Sequence, residues 1–221
     1  IYMHSTVKNL LYIKNNIKVY LEKLNINNNP KILAVSKTFE INKILPLIEY
    51  GHLDYGENKV QEALEKWSDI KLTKKNLKLH LIGKLQTNKV KQAIKIFDYI
   101  HSVDSEKLAK KIADEETKQG KKVKIFIQVN IGDEEQKSGV SKSSLHELYS
   151  YCKAIDLNVI GLMCIPPLDK SSDIFFKEMN ILNQNLNLEE LSMGMSADYL
   201  DAIKNSATYV RIGSNIFGER N

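Results

Sequence analysis

Helix-like and strand-like segments alternate along all 221 residues with little chain left between them, and that rhythm limits the fold more than any other feature. Alternation of this kind predicts a parallel sheet with helical crossovers. Residues 5–23 place Leu10, Leu11, Ile13, Ile17 and Leu21 at helical spacing, with Ser5 or Thr6 as the N-cap. The strand-like segments that follow are KILAVS, LDYGEN, LKLHLIG, FDYIHSV, KVKIFIQVN, LNVIGLM, EELSMG and TYVRIGS. KVKIFIQVN is the clearest, because Val123, Ile125, Ile127 and Val129 alternate. Between them lie EINKILPLIEYG, VQEALEKWSDI, NKVKQAIKI, SEKLAKKIADEETKQG, SKSSLHELYSYCKAI, DIFFKEMNILNQNL and ADYLDAIKNS, which read as helices. Eight strands in a chain of this size predict an α/β fold closed as a (β/α)8 TIM-like barrel with one extra N-terminal helix. An open doubly wound sheet is the alternative, but no Gly-x-Gly-x-x-Gly turn supports it. No Pro/Gly/Ser-rich linker divides the chain, so residues 1–221 are read as one domain.

Composition excludes several classes of function. No apolar run approaches the ~20 residues that span a bilayer, and no signal-peptide pattern opens the sequence, so no membrane role is expected. Cys152 and Cys164 fit neither a metal spacing nor a disulfide framework, which suits a reducing, cytoplasmic setting. The net charge of +5 comes from lysines interspersed with acids on helix faces. Without a basic stripe and interleaved aromatics, nucleic acid is not an expected partner. His80 and His101 fall in strands without a second ligand at metal spacing, and His146 falls on a helix surface. Trp67, Tyr149 and Tyr151 read as helix-packing residues.

In such barrels chemistry gathers at the carboxyl ends of the strands, and phosphate often binds after the seventh and eighth. Read in order, those ends give Lys37, then Glu57 and Asn58, Lys84 and Gln86, Ser102 and Asp104, Asn130, Met163, SMGMS at 192–196 and RIGS at 211–214. Lys37 directly follows the apolar run Ile32–Val35. It reads either as a surface lysine whose stem covers apolar neighbours or as an amine held at the barrel mouth to react with a carbonyl. Such an amine must lose its proton, which desolvation or a nearby cation promotes. Gly194, Ser196, Gly213 and Ser214 bring small and polar residues to the last two ends, where backbone N–H groups can approach an anion. Ser196 and Ser214 read equally as helix N-caps, and Asn58 as the cap of the next helix. Arg211 reads alternatively as a structural partner of Asp198 or Asp201, and Met163 as a packing residue.

These strand ends carry a resemblance. AVSKT, DYGENKVQE, HLIGKLQTNK, HSVDS, QVNIGDEEQKSGVS, GLMCIPP, LSMGMSADYLDAI and VRIGSNIFGER, in this order from about Lys31 to Arg220, resemble the pyridoxal 5′-phosphate (PLP) homeostasis proteins, which are single-domain barrels of the alanine racemase N-terminal-domain type. The resemblance implies that Lys37 carries PLP as a Schiff base. It implies that Ser196, Gly213 and Ser214 hold the phosphate, with Asn58 and Arg211 near the cofactor and Met163 against the pyridine ring. No metal site and no catalytic residue are expected; PLP-dependent apoenzymes are expected as partners, and without a racemase's second domain a monomer is the default assembly. An arginine beside the pyridine nitrogen cannot take up the proton that an acid would supply there, so the ring is expected to be a weak electron sink. The sequence departs from the family pattern at Lys84 (usually histidine), Tyr55 (usually phenylalanine) and Ser214 (usually threonine). The alternative is a PLP-dependent amino-acid racemase of weak activity. Two-base racemisation needs an acid–base group opposite the lysine; racemases bring a tyrosine from a second domain, and the eighth strand here is followed at once by FGERN. Tyr55 is the local substitute. An aldolase-type barrel with a Schiff-base lysine uses the same parts and predicts no chromophore.

Overall fold

A computed structural model describes residues 3–219 of the chain. The reading of residues 1–221 as one domain, and Arg220 of the last family motif, therefore extend outside the described residues. An N-terminal helix, α1 (Ser5–Leu24), precedes eight strand–helix units. They begin with β1 (Lys31–Val35), α2 (Ile41–Tyr50), β2 (Asp54–Glu57) and α3 (Val60–Thr73). Next come β3 (Lys78–Leu81), a 3-10 turn at Thr87–Lys89, α4 (Val90–Ile96), β4 (Tyr99–Val103) and α5 (Glu106–Gln119). The chain continues with β5 (Lys124–Gln128), α6 (Leu145–Ala154), β6 (Asn158–Met163) and α7 (Ser172–Asn185). It closes with β7 (Glu190–Met195), α8 (Tyr199–Lys204), β8 (Tyr209–Ile212) and the short α9 (Ser214–Phe217). Every neighbouring strand pair is parallel, and β8 returns to β1 with Leu33 opposite Arg211, so the sheet is a closed barrel in sequence order. The predicted (β/α)8 architecture with its extra helix is the one observed.

The strands close because both of their faces are apolar or internally paired. Ile32 and Ala34 of β1 join the large cluster that fills the space between strands and helices. Leu33, between them in sequence, joins a second cluster with Tyr99, Phe126, Met163 and Tyr209. That second set occupies the barrel interior, as expected for side chains that alternate across a strand. The α1 helix buries Val7, Leu10, Ile13, Ile17 and Leu21, a helical stripe that packs beside α2, α8 and α9. No helix of the described residues is long and apolar enough to cross a membrane.

Several cap readings are corrected. Neither Ser5 nor Thr6 caps α1: His4 does, its Nδ1 accepting from the Thr6 backbone N–H at 3.3 Å. Asn58 does not cap α3, because Lys59 holds that position, without a side-chain bond. Asp198 and Gly213, not Ser196 and Ser214, stand at the caps of α8 and α9. Helix α6 begins at Leu145, after a turn built on Ser141, whose hydroxyl accepts from the Ser144 N–H at 3.2 Å. The sequence offers enough short polar residues near each helix start that composition alone does not select one.

Candidate functional site

The carboxyl ends of the strands surround a cavity of about 820 Å³. Its wall contains Lys37, Asn58, Lys84, Ser196, Arg211, Gly213 and Ser214, drawn from five different strand ends. Met163 is not in this wall; it is fully buried in the interior cluster with Leu33, Tyr99, Phe126 and Tyr209. A second cavity of about 810 Å³ lies at the opposite mouth, between α1, the 25–30 loop and the starts of β1 and β2. Of the strand-end residues read from the sequence, Lys37, Asn58, Lys84, Ser196, Arg211, Gly213 and Ser214 converge on the first, whereas Glu57, Gln86, Ser102, Asp104, Asn130 and Met163 do not line it.

Lys37 stands in the turn after β1, and each of its neighbours is fixed. The buried Ser36 hydroxyl donates to Glu57 Oε1 at 2.7 Å. Thr38 has a φ of 67°, a left-handed conformation that L-residues with branched side chains avoid at a cost of about 1–2 kcal/mol. Its backbone N–H is held by Glu62 Oε1 at 2.5 Å. Lys66 ties these contacts together: its Nζ donates to the Ser36 carbonyl at 2.9 Å, Glu57 Oε1 at 3.0 Å and Glu62 Oε1 at 2.9 Å. The Trp67 indole N–H donates to the same Glu57 oxygen at 2.9 Å. Burial pushes the Glu57 carboxyl above its ordinary pKa, and Lys66, Trp67 and Ser36 pull against it. Glu57 is thus a strand-end residue that points away from the cavity, toward α3, where it braces the lysine turn from outside the barrel.

Arg211 enters from β8 and is 4% exposed. Its Nη1 donates to Ser192 Oγ at 2.8 Å and its Nη2 to the Cys164 carbonyl at 2.9 Å. It pairs with neither Asp198 nor Asp201, which corrects the structural-bridge reading. Asp198 instead accepts the Met195 N–H at 2.7 Å and shapes the SMGMS turn. Asn215 donates to the Ser196 carbonyl at 3.0 Å, tying the seventh and eighth strand ends together. Gly194 has φ +90°, and a methyl group there would meet Ala202 Cβ at 2.5 Å, so this turn requires glycine. Gly83 is needed for a different reason: a methyl group would overlap the Asn58 carbonyl on the cavity wall.

The interior beneath Arg211 contains a polar chain. Ser192 Oγ lies 2.8 Å from His101 Nδ1, His101 Nε2 lies 3.0 Å from His80 Nδ1, and His80 Nε2 lies 3.1 Å from Asp54 Oδ1. His80 stacks on Tyr99 with centroids 4.0 Å apart, and His101 on Phe126 at 4.2 Å. Burial lowers the pKa of both imidazoles; for His101 the positive charges of His80 and Arg211 act in the same sense. For Asp54, burial raises the pKa but the hydrogen bond and charge of His80 outweigh it, leaving it below its ordinary value. Among the described residues no His, Cys, Asp and Glu group is arranged to hold a metal. Cys164 is fully buried, and its thiol is pushed up to about 12 by burial, in keeping with an inert role.

Sequence reading found Lys37, Asn58, Lys84, Ser196, Arg211, Gly213 and Ser214 on the cavity wall but missed Gln128, Gln136, Lys137, Ser138 and Glu219 there, and both supporting networks. The Glu62–Lys66 pair had a visible i,i+4 spacing. Nothing local links His80, His101, Ser192 and Asp54, which come from four strands.

The barrel and the convergence of strand ends at its carboxyl mouth define the alanine racemase N-terminal-domain class, and the model of that family matches residues 9–221. An alanine racemase of Clostridium difficile has the same fold, with a TM-score of 0.72 over 96% of this chain and 57% of its own, at 18% identity. Within that class, the chain belongs to the pyridoxal phosphate homeostasis protein family. The Aquifex aeolicus protein of that name is 40% identical over 203 residues, covering 87% of this chain and 88% of its own. The structure of PipY from Synechococcus elongatus with PLP bound superposes with a TM-score of 0.81 at 31% identity, over 91% of this chain and all of its own.

Proposed function

We propose that this chain, as one barrel domain, holds PLP as a Schiff base on Lys37 and serves in PLP homeostasis or carriage with little or no turnover. The observation that carries the reading is the meeting of Lys37, Asn58, Ser196, Arg211, Gly213 and Ser214 on one cavity of about 820 Å³. Kinship with a protein family named for PLP homeostasis and with a PLP-bound barrel supports it.

The donor set suits the group. A primary amine such as that of Lys37 adds to an aldehyde with loss of water, and its turn is braced on both sides. The Ser196 and Ser214 hydroxyls with the Gly213 backbone suit a phosphate dianion. Arg211 offers a fixed cation beside them, donating to two neutral oxygens, Ser192 Oγ and the Cys164 carbonyl. When bound, PLP supplies an electron-accepting ring. A permanently charged guanidinium facing its nitrogen would not supply the proton that strengthens this property.

Besides Lys37, the titratable side chains of the cavity wall are Lys84, Lys137, Arg211 and Glu219, with no tyrosine, histidine or cysteine among the described residues. Tyr55, the sequence-level candidate for a second racemisation base, lies outside the barrel: its O–H donates to the His52 carbonyl at 3.2 Å and its ring packs on Trp67. The recipients that carriage requires are apoenzymes that use PLP.

The test is the visible spectrum of the purified protein with added PLP, followed by borohydride reduction and peptide mapping. A yellow band with the reduced adduct on Lys37, both absent in Lys37→Ala, is expected. Wild-type protein that forms no band and no adduct at Lys37 would overturn the proposal.

A further inference from the structure

The polar chain beneath Arg211 has only one neutral arrangement. A guanidinium donates and never accepts, and a carboxylate accepts and never donates. With Arg211 at one end and Asp54 at the other, every link between them must donate in the same direction. Arg211 Nη1–H donates to Ser192 Oγ, so the Ser192 hydroxyl is free to donate to His101 Nδ1. His101 Nε2–H then donates to His80 Nδ1, and His80 Nε2–H to Asp54 Oδ1. Both imidazoles are consequently Nε2–H tautomers, assigned by the network itself. Reversing any one link would set two donors or two lone pairs against each other.

We infer that Asp54, His80, His101 and Ser192 are positioning residues for Arg211, a one-way relay that carries the hold on the guanidinium through the barrel to the opposite mouth. The relay is sheltered along its length. Tyr99 and Phe126 stack on the two rings, and Tyr209 packs beside both. Its acceptor end alone reaches solvent: the Asp54 side chain is 21% exposed and lines the amino-terminal cavity. Asp54 therefore brings a negative charge to bear on Arg211 from four hydrogen bonds away, without touching the carboxyl-side cavity. A proton taken up by the imidazole pair would force His101 to donate to Ser192 and turn the serine O–H away. Charges facing the pair are Asp54 from β2, Asp98 before β4, Lys31 from β1 and Arg211 from β8, and burial opposes that proton.

The spectroscopic consequence rests on the PLP reading above; the relay does not. The experiment compares wild type, Asp54→Ala and Asp54→Asn, with the urea midpoint of each recorded as a control for folding. Histidine-ring and arginine-side-chain ¹⁵N NMR, without PLP, reads the tautomers and the order of the guanidinium. In wild type His80 and His101 should both be Nε2–H, with resolved Arg211 N–H resonances. Asp54→Ala should lose the single tautomer at His101 as well as His80 and broaden Arg211. Asp54→Asn, whose amide oxygen still accepts, should restore all three. With PLP added, Asp54→Ala should bind about fivefold more weakly, the equivalent of one hydrogen bond, and show a displaced visible band that Asp54→Asn largely recovers. An Nδ1–H ring in wild type, or an Asp54→Ala protein with unaltered His101 and Arg211 signals, overturns the relay even if PLP binds. A wild-type protein that forms no band overturns the PLP reading and leaves the relay to be decided by the tautomers alone.

Discussion

Outside the barrel, between β2 and α3, Lys66 sits among two carboxylates, and every bond in the cluster is assisted by charge. Inside the barrel, the links from Arg211 toward Asp54 pass through a hydroxyl and two neutral imidazoles. Both regions deliver a nitrogen to the same cavity, Lys37 from one and Arg211 from the other. They also differ in the task. The outer cluster holds a strained turn, where a strong local tether to the Thr38 N–H is useful. The inner relay holds a planar fork whose direction matters, and direction is what a chain of single donors and acceptors specifies.

The largest expected effect tests the outer region. Lys66→Ala leaves Glu57 and Glu62 facing each other without their shared cation, and should lower stability by about 4 kcal/mol. A urea titration would measure it, and a loss below about 1 kcal/mol would mean that the cluster is not a true ionic core. If Lys37 holds PLP as proposed, that attachment should fall in the same variant, because the turn loses its brace.

Acid acts on the two regions in opposite senses. His52, bound to the Asp54 carbonyl at 3.0 Å, has its pKa lowered by burial from 6.5 to about 4. A folded pKa below the unfolded one means that the folded state binds fewer protons, so stability is full above about pH 6.5 and is lost as pH falls toward 4. The loss assigned to His52 is about 3 kcal/mol, and the lowered His80 and His101 act in the same sense. Glu57 acts oppositely: its raised pKa gives stability below the unfolded value that disappears as pH rises. Thermal melts from pH 8 to 4.5 should show His52→Asn flattening the acid limb. An unchanged limb would place the acid sensitivity elsewhere.

Gly83→Ala comes next. The added methyl must displace the Asn58 backbone, costing about 2 kcal/mol, and should weaken PLP binding without altering the Lys37 turn. Smallest is Trp67→Phe, which keeps most of the ring volume but removes one donor to Glu57. A loss of about 1 kcal/mol is expected. Matching stabilities would show that Lys66 and Ser36 satisfy that oxygen without the indole.

The barrel was legible because its strands are short apolar runs, each separated by a helical period, and that rhythm survives without tertiary information. Lys37, Asn58, Ser196, Arg211, Gly213 and Ser214 were legible for the same reason: a strand end has a definite address in this fold. Met163 has such an address too, yet its side chain joins the interior cluster instead of the cavity wall. Whether a strand-end side chain turns inward, outward or upward depends on register and on its neighbours, as Glu57 also illustrates. The helix caps failed because His4 and Asp198 won positions for which serines and threonines were nearer in type. The relay was invisible because its members lie between residues 54 and 211, and only closure of the barrel makes them consecutive.

That closure has a consequence for how the molecule is made. Lys31 pairs with Tyr209 and Leu33 with Arg211, so the seam of the barrel joins the earliest-made strand to the last. During synthesis Lys37 leaves the ribosome long before Ser196, Arg211 and Ser214 exist. Long-range pairing of this kind is slow and comes late. An emerging chain thus displays the amine without the cavity, and on the function proposed above, capture of PLP would mark the moment at which the circle is completed.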